Sequence, residues 1–132
     1  MDHSKKRQKR RKNKQSSNNE QFKIDTSKIK TLGKTTLMIR NIPNKYTKKL
    51  FLEELNRVFE GKFDFFYLPI DQTYDCNIGY AFINFVNLDT IETFYWEYHG
   101  KRWERFNSKK VCMISYARLQ GLEELVRSFI NS

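Results

Sequence analysis

The most regular pattern of apolar and polar positions in the chain spans residues 77–85. Side chains there alternate with a period of two, which predicts a β-strand. One row carries Tyr80, Phe82 and Asn84, and the other row is small or apolar. Two large rings in a row suit the faces of unstacked nucleobases. A strand buried on both sides explains the same pattern, and periodicity alone leaves both interpretations open.

Similar patterns predict three further strands and three helices. The strands span residues 35–42, 63–68 and 111–116, and the helices span residues 47–60, 87–100 and 122–130. Thr47 and Asn87 are suited to cap the first two helices, and Gly61 suits the position after the first. Residues 71–76 are predicted to form a polar loop. The buried face of the first helix is expected to consist of Phe51, Leu55, Val58 and Phe59.

The order of these elements predicts an α+β fold over residues 35–118. It is the split βαβ arrangement (β-α-β-β-α-β, ferredoxin-like), a four-stranded antiparallel sheet with two helices on one face. In this arrangement the first and third strands are the central pair, so Met38 and Arg40 should lie beside Tyr80 and Phe82. Residues 119–132 form an appended carboxy-terminal helix, whose apolar stripe needs a surface to lie on.

Charge is concentrated at the amino terminus. The net charge is +10 over 132 residues, but +7 of it falls within residues 1–14 and only +3 in residues 15–132. The basic side chains are Lys5, Lys6, Arg7, Lys9, Arg10, Arg11, Lys12 and Lys14. Because residues 1–34 contain few apolar side chains, we expect a disordered basic tail. Such a run can act as a nuclear-localisation signal, as an electrostatic RNA contact or as a solubilising segment, and charge alone does not separate these uses.

Several function classes find no support in the sequence. Cys76 and Cys112 are far apart and His3 and His99 lack neighbouring ligands, so we expect no disulfide, metal site or cofactor. No apolar run reaches the length of about 18 residues that a membrane helix needs. No Ser/His/Asp grouping or phosphate-cradling glycine loop is visible, which predicts that the protein is not an enzyme.

Two segments resemble the RNA-recognition motif. Residues 78–85, with the sequence IGYAFINF, are similar to its octapeptide (K/R)-G-(F/Y)-(G/A)-F-V-x-(F/Y). Residues 37–42, LMIRNI, resemble its partner hexapeptide. Three longer blocks, residues 36–47, 77–85 and 115–121, resemble the carboxy-terminal RNA-recognition motif of the Mei-two-like proteins, eukaryotic RNA-binding regulators of meiosis and of plant development. The resemblance covers residues 35–130.

The resemblance implies a binding surface on the sheet. Tyr80 and Phe82 match the two stacking aromatics of the octapeptide. Met38 stands where the hexapeptide usually has a third ring, and a thioether is a softer contact for a base. Ile78 replaces the usual basic residue, while Arg40 can supply a guanidinium and Asn84 can bond a base edge. We therefore predict single-stranded RNA binding by Met38, Arg40, Tyr80, Phe82 and Asn84, assisted by the tail.

A protein-interaction module of the same fold is the alternative. The carboxy-terminal helix, Trp96 and Trp103 supply apolar area for protein partners. If Leu122, Leu125 and Phe129 pack over Tyr80 and Phe82, the helix blocks RNA unless it moves. We expect a monomer, located in the nucleus on the strength of the basic run, with the cytoplasm as the alternative. The role in meiosis is implied by the resemblance alone.

Overall fold

The computed structural model describes residues 20–131. Its strands are β1 (Thr36–Arg40), β2 (Phe63–Tyr67), β3 (Ile70–Asp71), β4 (Cys76–Asn77), β5 (Tyr80–Phe85) and β6 (Met113–Tyr116). Its helices are α1 (Ile29–Leu32), α2 (Lys48–Phe59), α3 (Leu88–Tyr98) and α4 (Leu122–Phe129), with short 3-10 turns at Thr26–Lys28 and Arg105–Asn107. The main sheet is antiparallel in the order β2-β5-β1-β6, so the predicted α+β fold and its central strand pair are confirmed.

The helices α2 and α3 begin where the sequence predicts. The Thr47 side chain accepts a hydrogen bond from the backbone N–H of Leu50 at 3.1 Å, which caps α2. Gly61 follows the end of α2 with φ of +74°, a conformation that favours glycine. Asn87 precedes α3, but its side chain makes no capping hydrogen bond.

The core lies between the sheet and the helices α2 and α3. β1 contributes Leu37 and Ile39, both fully buried, and β5 contributes the fully buried Ile83. The helices meet these strands through rings such as Phe51 and Phe94. The predicted burial of Val58 is wrong: its side chain is 60% exposed, because it borders an open cavity beside α2. The rows of β1 and β5 that face the helices are therefore those opposite Met38 and Phe82.

The segment before β1 is more ordered than the sequence suggests. Residues 26–32 form the 3-10 turn and α1, and Ile29 is 3% exposed within the core. Phe22 and Ile24 pack against the same core. The prediction of disorder over residues 1–34 is therefore wrong for this part, because a few apolar side chains suffice when they pack on a core that other elements form. The basic run of residues 5–14 lies outside the described residues.

The predicted polar loop at residues 71–76 is a small hairpin. Ile70 pairs with Asn77 and Asp71 with Cys76. The Asp71 carboxylate accepts the backbone N–H of Thr73 at 2.8 Å, which organises the turn. Asn77 is buried and donates to the carbonyl oxygens of Pro43 and Tyr46, so the hairpin is fixed to the loop after β1.

Candidate nucleic-acid interface

The strands β1 and β5 place four of the predicted site residues side by side. Met38 pairs with Phe82 and Arg40 pairs with Tyr80, on the sheet face opposite α2 and α3. The ring centroids of Tyr80 and Phe82 are 5.7 Å apart, with the planes at 79°. Arg40 is exposed, while the other three side chains are half-buried. The geometric part of the prediction, two distant segments meeting on one surface, thus agrees with the structure.

The strand β2 adds two rings to this face that are not among the predicted site residues. Phe65 pairs with Asn84 and Tyr67 pairs with Phe82. β2 is apolar in both of its rows, so its pattern does not say which row faces the helices. A register shift between Phe63 and Phe65 sets the phase of the strand. The sequence carries no clear signal for that bulge.

The edge strand β6 contributes a methionine. Met113 pairs with Arg40 and is 42% exposed, while Ser115 pairs with Met38. On the opposite row Ile114 and Tyr116 are buried, as is Cys112 immediately before the strand. Met113 is not among the predicted site residues, because no motif position corresponds to it.

Asn84 has a different environment from the one predicted. Its side chain lies on the same face, but the residue is only 4% exposed. Its Oδ1 accepts hydrogen bonds from the hydroxyls of Thr35 at 2.8 Å and Thr36 at 2.7 Å. Its Nδ2 donates to a carboxylate oxygen of Asp64 at 2.8 Å. The predicted hydrogen bond to a base edge conflicts with this geometry, because the amide already joins three segments of the protein.

The helix α4 crosses the sheet face over the β2 side. The ring centroid of Phe129 lies 5.0 Å from Phe82 and 4.9 Å from Tyr67. Leu125, one turn earlier, is fully buried, whereas Leu122 is 40% exposed. We call Phe65, Tyr67 and Phe82 the covered half of the face, and Met38, Arg40, Tyr80 and Met113 the open half.

The segment before α4 is fixed to the start of β1. The side-chain oxygen Oε1 of Gln120 accepts hydrogen bonds from the backbone N–H groups of Thr35 and Thr36, at 3.1 and 3.0 Å. Its amide nitrogen donates to the carbonyl oxygens of Thr36 and Ala117, both at 2.9 Å. The backbone N–H of Gly121 donates to the Thr36 hydroxyl at 2.8 Å. These contacts give α4 a fixed starting point on the sheet.

Arg40 brings positive charge to the open half, and Lys110 lies near the end of the same strand. Within residues 20–131, Arg40 makes no ion pair, so its guanidinium is available to an anionic partner. Lys110 lies at the loop that follows β1, where it donates to the carbonyl oxygen of Ile42 and to Asn44, both at 3.4 Å. At the position where the motif usually has a basic residue, Ile78 is 44% exposed.

The opposite side of the molecule holds a polar network within aromatic packing. The Glu54 carboxylate accepts the hydroxyl of Tyr46 at 2.6 Å and that of Tyr98 at 2.8 Å. These groups line a cavity of about 290 Å³ next to Cys112. Burial, with a smaller contribution from Glu54, raises the pKa of Cys112 to about 12, so the thiol stays protonated at neutral pH.

The two tryptophans that were suggested as partner contacts differ in exposure. Trp96 is 59% exposed on α3, and its Nε1 lies 3.4 Å from Glu92. Trp103 is 6% exposed and packs edge-on against Tyr46, with the ring centroids 5.4 Å apart. The suggestion that Trp103 contacts a partner is therefore wrong in this conformation.

Neither a membrane helix nor a metal cluster is found in the described part of the chain. Over residues 20–131, no helix is long and apolar enough to span a bilayer. Over the same residues, no three side chains of the metal-ligating types come together.

The fold and this face define the class of the domain. A four-stranded sheet of this order, with two helices behind it and aromatic octapeptide residues in front, is an RNA-recognition motif. Residues 34–130 match the family model described as RNA recognition motif 2, and the chain belongs to that family.

Relatives support this assignment and confirm the resemblance to Mei-two-like proteins. The chain is 48% identical over 120 residues to Protein MEI2-like 2 of Oryza sativa subsp. japonica, covering 89% of this chain and 14% of the relative. It is 49% identical over 114 residues to Protein MEI2-like 5 of Arabidopsis thaliana, covering 85% and 14%. The chain thus spans about one seventh of the length of these relatives.

Solved structures share the fold at low sequence identity. The Rna15 RRM with bound RNA (GU) aligns with a TM-score of 0.56 at 16% identity, covering 74% of this chain and 97% of that one. The Sex-lethal RNA recognition domains 1 and 2 of Drosophila melanogaster align with a TM-score of 0.52 at 24% identity, covering 64% and 50%. These similarities establish the fold alone.

Proposed function

We propose that this domain binds single-stranded RNA on the face of its sheet, with bases stacking on Tyr80 and Phe82. The observation that carries the proposal is the placement of these two rings beside Met38 and Arg40, on the face that α2 and α3 leave free. Membership of the RNA recognition motif 2 family supports it, as does the RNA in the structure of the Rna15 RRM.

The open half supplies three kinds of contact. The ring of Tyr80 offers a stacking surface worth roughly 1–3 kcal/mol per base. Met38 and Met113 offer polarizable thioethers to a base placed across β1 and β6. The guanidinium of Arg40, which pairs with Met113 and follows Met38 on β1, can pair with a phosphate or stack on a base.

The amino-terminal basic run adds a second, sequence-independent contribution in this proposal. Its Lys and Arg side chains would pair with phosphates, so this part of the affinity falls steeply as salt rises. A truncation should remove residues 1–19 and keep residues 20–34, because Ile29 belongs to the core. Selecting RNAs from a random pool with both forms would separate the affinity of the tail from the specificity of the sheet.

The same basic run is also our basis for proposing a nuclear location. Fusing residues 1–19 to a fluorescent protein tests this use independently of RNA. Exclusion of the fusion from nuclei would refute it. A regulatory role in meiosis or development rests on the MEI2-like names of the relatives and is likewise a proposal.

The central test compares Tyr80→Ala with Trp96→Ala. Both remove an aromatic ring that is not part of the buried core, but Trp96 lies on α3, behind the sheet. We expect Tyr80→Ala to weaken binding of labelled single-stranded RNA about five- to 150-fold, the range that corresponds to one stacked base. Trp96→Ala should bind like the unmodified chain. Equal affinities for two folded variants would remove the proposal.

A protein-interaction function remains the second candidate, because Phe129 already shows that an apolar helix can occupy this face. It predicts that peptides with the pattern of α4 compete for the covered half and that RNA does not bind in any form of the domain. Titrating the isolated α4 peptide into a folded chain that lacks residues 119–132 tests it, and the absence of peptide binding would refute it.

A further inference from the structure

The contact between α4 and the sheet resembles the contact expected of a base. The ring of Phe129 lies over Phe82 with a centroid distance of 5.0 Å and an interplanar angle of 30°. Tyr67 and Phe65 surround it, with centroid distances of 4.9 and 6.4 Å. One side chain of the protein thus fills the position on Phe82 that stacking of a base requires.

The docked side of α4 is apolar. Leu125 is fully buried, and Phe129 follows it one turn later on the same side of the helix. The charged side chains pair within the helix: Arg127 contacts Glu123 at 3.2 Å and Glu124 at 3.0 Å. Apolar burial therefore makes the main contribution to docking, and these ion pairs need not break when the helix leaves the sheet.

The start of α4 combines a fixed point with a pivot. The Gln120 side chain is hydrogen-bonded to backbone groups of Thr35 and Thr36, at the start of β1. The next residue, Gly121, has φ of +92° and ψ of +152°, a region that is essentially restricted to glycine. Rotation at Gly121 would swing the helix away while Gln120 stays in place.

An undocked α4 would not persist as a helix. It has eight residues, fewer than the roughly 12–15 that an isolated helix needs in water. Gly121 at its start provides no side-chain cap. Docking and helix formation are therefore coupled, and displacement converts α4 into a flexible segment.

We propose that α4 is an intramolecular lid that competes with RNA for the covered half of the face. This inference rests on the proposed function. In the closed state RNA reaches only Tyr80, Arg40 and the methionines of the open half. Full binding requires Phe129 to leave Phe82, and the apparent affinity falls by the fraction of molecules that are open.

Substitutions in the full 132-residue chain test the lid. The probe is a fluorescein-labelled single-stranded RNA of random sequence, about 12 nucleotides long. If the lid is closed in about nine molecules of ten, Phe129→Ala should bind about tenfold more tightly than the unmodified chain. Ile130→Ala is the matched control, because Ile130 follows α4 and is 65% exposed. Equal or weaker binding by a folded Phe129→Ala variant would overturn the lid.

A second measurement uses the unmodified chain and does not depend on how the variant folds. The ¹³Cα chemical shifts of residues 122–129 report the helix, and cross-peaks between the Phe129 and Phe82 rings report docking. RNA at saturation should abolish both. Their persistence in the complex would refute the lid while leaving RNA binding intact. Absence of RNA binding in every variant would instead refute the proposed function, and the lid with it.

Discussion

Phe82 and Phe85 lie three positions apart on β5, but they face opposite sides of the sheet. Phe85 is 1% exposed, and its ring centroid is 4.9 Å from Phe94 and 6.2 Å from Phe59. Phe82 is half-buried, and its ring lies against Tyr80 and Phe129. The back face of the sheet is covered by the long helices α2 and α3. The front face, which carries Tyr80 and Phe82, is covered only in part by the short helix α4. Aromatic content alone therefore does not mark a binding surface; what covers each ring decides its role.

The polar groups of the two faces differ in the same way. On the back, Glu54 is satisfied by the hydroxyls of Tyr46 and Tyr98. On the front, the exposed guanidinium of Arg40 makes no ion pair with any residue in the described range. Glu54 thus uses its oxygens for internal hydrogen bonds, whereas Arg40 is open to a partner on the front face.

The largest expected difference between the faces comes from truncating the two phenylalanines of β5. Phe85→Ala should lower the free energy of unfolding by about 3–5 kcal/mol, because it leaves a cavity among rings that cannot collapse. Phe82→Ala should cost less than about 2 kcal/mol, since its ring is only half-buried. Urea titrations of both variants measure this. Similar losses for the two would mean that the front face is also core and would break the comparison.

A smaller effect is expected from a hydroxyl on the back face. Tyr98→Phe leaves one Glu54 oxygen without its donor, and hydrogen bonds to charged groups contribute about 1.5–3 kcal/mol. Burial raises the pKa of Tyr98, so its hydroxyl stays protonated at neutral pH and donates to Glu54. Tyr74→Phe is the control, because Tyr74 is 76% exposed on the hairpin. RNA affinity of the folded Tyr98→Phe protein should not change, and a change would show that the faces are coupled.

The parts of the fold that the sequence predicts are those with clean periods and local signals. β1 and β5 alternate strictly, and Thr47 and Gly61 bound α2, so their positions and the pairing of Met38 with Phe82 follow from the residues. The octapeptide then places Tyr80 and Phe82 at the surface by resemblance. These features depend on residues that are close together in the chain, so the sequence alone is sufficient to predict them.

The features that the sequence does not predict depend on contacts between distant segments. Phe65 and Tyr67 face the front because a bulge sets the phase of β2, and both rows of that strand are apolar. The Asn84 side chain is not available to a base, because its oxygen accepts hydrogen bonds from the hydroxyls of Thr35 and Thr36. The positions of these hydroxyls depend on the strand register. Ile29 is ordered because a core exists for it to join. In each case the deciding partner is remote in the chain.

The smallest expected effect concerns His99, at the edge of the back face. Its Nδ1 accepts the backbone N–H of Ile114 at 3.0 Å, and its ring stacks on Tyr95 with a centroid distance of 4.4 Å. Burial lowers the pKa of His99 below its usual 6.5, and a proton on Nδ1 would displace the Ile114 contact. The unfolded chain therefore takes up the proton first as pH falls. The contribution of neutral His99 to the free energy of unfolding is complete above about pH 6.5. It declines as pH falls through the lowered pKa of His99 in the folded state.

Thermal unfolding at pH 7.5 and about pH 5.5 measures this contribution. His99→Gln provides an acceptor that does not titrate, so the variant should lose less stability than the unmodified chain over the same interval. An identical loss would assign the pH dependence to other groups. RNA affinity per folded molecule should change equally in both proteins, because His99 lies behind the sheet; a His99-dependent change in affinity would show that a proton on the back face reaches the front.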